Sequence, residues 1–213
     1  MFQNILFDLD GTLTDPGLGI TNSVMHALRK HQIEVADRRE LYAFIGPPLK
    51  DSFMKYYGFS EEDAVRAIDE YREYFRPRGI YENEVYPGVP ELLQTLKENG
   101  RRLILATSKP DEFSIEIMKH FGLYEYFDFF SCATMNEKKV TKPEIIQYAL
   151  DELKITDLDS CVMIGDREHD ILGAKAAGIR SIGVLYGYGS REELEQAGAT
   201  YIAETVRGIL DYV

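Results

Sequence analysis

Cysteine is scarce in this 213-residue chain, which holds only Cys132 and Cys161, both in apolar stretches. That excludes a disulfide framework and predicts two buried, free thiols in a reducing compartment. Histidine is nearly as sparse, and His26, His31, His120 and His169 show no spacing suited to zinc. Basic residues number 24 against 36 acids, for a net charge of −12. A nucleic-acid polymer or an anionic membrane is therefore excluded as a partner, because both call for clustered Lys and Arg. No apolar run is long enough to cross a bilayer. Met1-Phe2-Gln3-Asn4 lacks a basic region leading into a cleavable apolar segment, so a cytoplasmic location is expected. Repeats and low-complexity stretches are also missing. What remains is 45% hydrophobic residues, enough for one core domain with an insertion.

The most informative stretch is Phe7-Asp8-Leu9-Asp10-Gly11-Thr12, which follows the apolar run Ile5-Leu6-Phe7. Side chains of an extended segment alternate, so Asp8 and Asp10 face the same side while Leu9 points away. Gly11 lets the chain turn off the strand, and Thr12 adds a hydroxyl beside the same opening. Two further apolar runs end in chemistry: Leu103-Ile104-Leu105-Ala106 in Thr107-Ser108-Lys109, and Val162-Met163-Ile164 in Gly165-Asp166. Continuous apolar runs suit central parallel strands, and such sheets bind ligands beyond their carboxyl ends. The three endings are expected to meet in one crevice. Lys142, at the start of the helical pattern Ile145, Ile146, Ala149, Leu150, Leu153, places a cation at a helix entrance, where an anion is favoured. Lys109 and Lys142 are the local cations that would overcome the acidic field.

Between residues 16 and 80 the pattern is helical throughout, with segments beginning near Ile20, then 38–44, 49–57 and 61–75, before Pro77 and Gly79 interrupt. Alternation of strand and helix resumes after Tyr86-Pro87-Gly88. Helices are expected over 89–99 and 112–121, and strands over 127–133 and 181–185. Phe44-Ile45-Gly46-Pro47-Pro48-Leu49 joins two helical patterns, and its Gly-Pro-Pro predicts a fixed turn.

The order DLDGT, TSK, TKPE and GDREHD resembles the four motifs of the haloacid dehalogenase-like superfamily of phosphotransferases, across essentially the whole chain. LTDPGLGITNSV, FIGPPLKDSF and GVLYGYGSREEL are most similar to its phosphoglycolate phosphatase-like branch, particularly bacterial members described as 5′-nucleotidase-like. The resemblance implies an α/β fold. It would be a Rossmann-like three-layer core with a parallel sheet, formed by residues 1–15 and 82–213. A small α-helical cap, residues 16–81, would be inserted after the first strand and close over the core.

A phosphate monoester is a dianion, so a carboxylate can attack its phosphorus only where a cation and fixed donors screen the charge. Mg²⁺ is the natural choice for a site of Asp residues. The resemblance implies that Asp8, the Asp10 carbonyl and Asp166 supply its protein oxygens. Asp170 would orient a metal-bound water, with Thr12 also behind the ligands. Asp8 would attack to form an aspartyl-phosphate. Asp10 would protonate the leaving oxygen and then deprotonate the hydrolytic water. Thr107 or Ser108 would bind phosphoryl oxygens, and Lys142 would hold both the nucleophile and the transferred group. Gly46 would permit close approach of the cap backbone to the leaving group, setting selectivity, although an ordinary helix–helix turn explains the same residues. Asp166 could equally cap the helix that follows it.

Asp10 disfavours a dehalogenase, which needs no acid there. The leading expectation is a Mg²⁺-dependent phosphatase for a small phosphorylated metabolite, phosphoglycolate or a nucleoside 5′-monophosphate. A sugar phosphomutase of the same superfamily, or a non-catalytic ligand-binding protein that retains the fold, are the alternatives.

Overall fold

The computed structural model describes residues 1–135 and 140–213. In chain order the elements are strands β1 (Asn4–Phe7) and β2 (Thr14–Asp15), helix α1 (Gly17–Lys30), a 3₁₀ segment (Arg38–Phe44), and helices α2 (Leu49–Tyr57) and α3 (Glu61–Tyr74). Strand β3 (Glu84–Val85), α4 (Val89–Glu98), β4 (Arg102–Pro110), α5 (Asp111–His120), β5 (Phe129–Ala133) and α6 (Lys142–Glu152) follow. The chain ends with β6 (Cys161–Gly165), α7 (Glu168–Ala176), β7 (Arg180–Val184), α8 (Arg191–Ala197) and β8 (Tyr201–Ala203). These fall into two units, one of residues 1–14 and 85–213, the other of residues 15–84.

The first unit carries a sheet of order β5-β4-β1-β6-β7-β8, six strands among the described residues, with every neighbouring pair parallel. The expected α/β architecture is present. Continuous apolar runs form the central strands because both faces are covered: Leu6, Ile104 and Met163 cluster with Ile145, Ile146 and Ala149 of α6. The alternate residues Ile5, Phe7, Leu103 and Leu105 are also fully buried. Phe7 pairs in register with Leu105 on one side and Ile164 on the other. Where β1 ends, Leu105 of β4 and Ile164 of β6 stand level with it, so the residues that follow on the three central strands become neighbours.

Helix starts follow from local chemistry. At α6 the Glu144 carboxylate accepts from the Thr141 N–H at 3.1 Å and the Thr141 hydroxyl at 2.7 Å, and Pro143 fills a first-turn position that needs no N–H. This fixes Lys142 at the first position of the helix.

The second unit is helical, built on α1 to α3 with buried Ile20, Val24, Leu28, Leu41, Phe44, Phe53, Ile68 and Tyr71. A Cβ on Gly19 would lie 1.9 Å from the Gly79 carbonyl oxygen, so α1 and the 75–79 segment touch backbone to backbone. Pro77 and Gly79 do not break the helix as their residue types suggest. The chain continues from α3 into a π-helical turn, Phe75–Gly79, closed by Ile80 N–H donating to Phe75 O at 2.8 Å. His31 and His26 pair with Glu70 and Glu73 in this unit. Cys132 and Cys161 are free and buried. No helix among the described residues is long and apolar enough to cross a membrane.

Candidate active site

Asp8 leaves the end of β1 with its N–H donating to Ile164 O at 2.9 Å, which carries the sheet ladder one residue past the strand. The chain then turns tightly: Leu13 N–H donates to Leu9 O at 2.9 Å and Gly11 N–H to Thr14 O at 2.8 Å. Gly11 adopts φ +82°, and a Cβ there would meet Asp166 Oδ2 at 2.2 Å. Glycine is required twice over, for the backbone and for the neighbour. Asp8, Asp10, Thr12, Thr107, Lys109, Lys142, Asp166 and Asp170 are all buried, and Ser108 is half-buried. So many charges taken from water need mutual compensation.

Lys142 Nζ lies 2.9 Å from Asp8 Oδ1 and 2.7 Å from Asp170 Oδ1, and donates to Ala106 O at 3.0 Å. Its approach to the two carboxylates is that of an ion pair rather than of an aligned hydrogen bond. Burial alone would lower the Lys142 pKa, but the Asp170 and Asp8 charges outweigh it and raise it above the ordinary lysine value. Lys109 Nζ donates to Asp10 Oδ2 at 2.7 Å. Burial nevertheless holds the Asp10 carboxyl above its usual range, Lys109 only partly offsetting it. Thr107 Oγ1 accepts from the Lys109 N–H at 3.2 Å, which leaves its hydroxyl proton to donate.

Asp166 is gripped by the loop after β7. Tyr188 N–H donates to Asp166 Oδ2 at 2.8 Å, and Thr12 Oγ1 reaches Oδ1 at 3.4 Å. A Cβ on Gly187 would fall 2.4 Å from Asp166 Cβ, and one on Gly189 would fall 1.9 Å from Asp166 O. Tyr186 Oη donates to Thr12 O at 3.0 Å, and its ring packs edge-on against Tyr86 at 5.0 Å. Asp166 does not cap α7. That task falls to Asp170, whose Oδ2 accepts from the Arg167 N–H at 3.1 Å. The Tyr188 contact is invisible to motif reading because a backbone N–H makes it, although two glycines two residues apart in Tyr186-Gly187-Tyr188-Gly189 do signal a close approach.

Asp8, Asp166 and Asp170 offer oxygens within 4.8 Å of one another. Burial pushes Asp166 well above the usual carboxylate range, with the Asp170 charge adding to it. Asp170 is pushed up to about 6, chiefly by burial, with the Asp8 charge adding, despite Lys142 beside it. Three buried acids share the one lysine ion-paired to two of them, so the cluster fits a further cation. An all-oxygen donor set of this kind suits Mg²⁺. Gly46 belongs to the other unit and adopts φ +103°, so its own turn requires glycine.

A haloacid dehalogenase-like hydrolase family model matches residues 5–184. The chain is 46% identical to a 5′-nucleotidase of Pseudomonas aeruginosa over 94% of its own length and 90% of that protein's. It is 34% identical to the tyrosine-protein kinase PtkA of Mycobacterium tuberculosis, over 94% of its length and 68% of the relative's. Its structure resembles the crystal structure of a predicted phosphatase from Clostridium acetobutylicum with a TM-score of 0.95 and 49% identity, covering 99% of both chains.

Proposed function

We propose a specific reaction for this chain, which belongs to the haloacid dehalogenase-like hydrolase family and is a phosphatase: hydrolysis of a small phosphate monoester through a phosphoryl group carried by Asp8. The observation that carries it is the convergence at the ends of β1, β4 and β6 of one carboxylate held by Lys142 and a second, two residues on, held by Lys109. Fold maintenance alone would not call for these charges to be buried together.

An Asp8 carboxylate oxygen forms a bond to phosphorus as the bond from phosphorus to the alcohol oxygen breaks, and Asp10 gives that oxygen its proton. Asp10, now ionised, takes a proton from a water that attacks the same phosphorus, which frees inorganic phosphate and restores Asp8. Lys142 keeps the nucleophile oriented and meets the charge of the transferred group. Thr107 and the half-buried Ser108 donate to phosphoryl oxygens. Asp8, Asp166 and the Asp10 carbonyl would hold Mg²⁺, with Asp170 and Thr12 behind them; when bound it supplies the positive charge that lets an anion approach a dianion. The likeness to a 5′-nucleotidase favours a nucleoside 5′-monophosphate over phosphoglycolate as substrate. Residues 15–84 act as the cap that selects the leaving group, and the free, buried thiols suit a reducing cytoplasm.

Asp8→Asn tests the reading, because an amide is a poor nucleophile. The folded variant should turn over substrate at near-background rates, and rapid quenching of wild type should place phosphate on Asp8. Phosphate on a Ser or His, or near-normal turnover by the variant, would reject the assignment.

A further inference from the structure

Lys109 makes an ion pair with Asp10 that the reaction above leaves unexplained. We infer that Lys109 is a positioning residue that pins Oδ2 of Asp10 and so dedicates Oδ1 to proton transfer with the leaving oxygen and the hydrolytic water, a role that rests on Asp10 being the acid and base assigned above. The geometry is specific. Lys109 Nζ sits 2.7 Å from Oδ2, with both side chains nearly closed to solvent, whereas Oδ1 is buried and has no hydrogen-bond partner among the described residues. A carboxylate with one oxygen tied and the other free in a buried site has a single atom left for chemistry.

The backbone is arranged to deliver this lysine. Strand β4 does not stop at Ala106 but runs to Pro110, with a register slip against β5 between Thr107 and Pro110. Such irregularities re-aim side chains beside functional sites. The Lys109 N–H is held by Thr107 Oγ1 at 3.2 Å, and its carbonyl accepts from Ser114 Oγ of α5 at 3.3 Å. The residue is thus tied on both sides of its Cα by hydroxyls, one on the strand and one on the next helix. As a stabilising device the pair would be weak, because desolvating two charges offsets most of their attraction. Fixing the acid within a fraction of an ångström is what such a contact can achieve.

The consequence is a dependence on the leaving group. An alkoxide, as from a nucleoside, needs the proton from Asp10 to depart, whereas p-nitrophenolate departs without one; hydrolysis of the phosphorylated enzyme needs Asp10 in either case. With Lys109→Met in the full chain and Mg²⁺ present, p-nitrophenyl phosphate should still release a burst of about one nitrophenolate per active site, followed by steady turnover lowered about 10–100-fold. A nucleoside 5′-monophosphate should give no burst, with single-turnover phosphorylation slowed by a like factor and KM little changed. Lys109→Arg, which keeps the charge, should recover part of both rates. The retained burst also shows that the variant is folded. Equal slowing of both phosphorylations, or a raised KM at unchanged kcat, would overturn the assignment. Asp10→Asn separates the two levels: if it shows the leaving-group pattern and Lys109→Met does not, the positioning role is wrong; if Asp10→Asn lacks the pattern too, the acid–base reading itself fails.

Discussion

Replacing Lys142 with methionine keeps an unbranched apolar stem and removes the cation between Asp8 and Asp170. At 2.9 and 2.7 Å, and with an effective dielectric of about 20, each attraction is about 6 kcal/mol before desolvation. Burying the ammonium costs several kcal/mol in return, and breaking a buried pair from one side costs a net of about 3–5 kcal/mol. For a chain of this size that is a fall in Tm of about 6–20 °C. The deficit has a pH signature. The folded-state pKa of Asp170, about 6, lies above its unfolded value, so this carboxyl weakens the fold increasingly as pH rises from about 4 through 6. Lys142 is raised above its ordinary value, so its contribution is complete at every pH below the unfolded lysine range and is lost only above it. Without Lys142 the Asp170 carboxyl rises further, and its protonation near pH 5 relieves the unpaired charge. Circular dichroism melts of both proteins in chelator at pH 5, 6.5 and 8 should show the largest gap at pH 8 and a smaller one at pH 5. A fall below about 3 °C, or one of equal size at pH 5 and 8, would refute the reasoning.

Mg²⁺ at a hundredfold excess over its Kd should stabilise the wild type by about 2.7 kcal/mol, and Asp166→Asn should abolish that Tm rise; an undiminished rise would remove Asp166 from the cation site. Gly11→Ala puts a side chain at φ +82° and 2.2 Å from Asp166 Oδ2, so it should lose about 1–2 kcal/mol of stability from the backbone and lower kcat with it. A urea titration beside a rate assay checks both. Gly46→Val should alter relative kcat/KM across a panel of phosphate esters while phosphate still appears on Asp8. Equal relative rates in the folded variant would move selectivity to the 186–188 loop.

The sheet and its site were legible because each central strand announces itself twice, by an unbroken apolar run and by a polar residue just past that run. Thr141 and Glu144 likewise announce α6, since a capping box is written in the side chains that form it. The less legible parts rest on weaker signals. Strand β8 is three residues long, too short for any periodicity. Helix α8 offers only Leu194 and Ala197 as buried residues, so its start shows in Ser190 Oγ, which accepts from the Glu193 N–H, rather than in an apolar stripe. Pro77 reads as a breaker because a proline lacks the N–H of an α-helical ladder, but a wider π turn accommodates it. The tie from Lys109 to Ser114 escapes motif reading for another reason: a hydroxyl donating to a carbonyl leaves no pattern in the sequence.

The position of β1 has a consequence for how the molecule comes into being. This first strand lies between β4 and β6, pairing Asn4 with Arg102 on one side and with Cys161 on the other. During synthesis β1 must therefore wait for both partners while residues 15–84, a separate compact unit, emerge between them. Closing loops of that length makes the sheet a slow, late assembly of high contact order. Asp8 rides on the strand that waits, whereas Asp166 follows β6, the later of its two partners to emerge. Asp8 and Asp166 thus come together only when the sheet closes around β1.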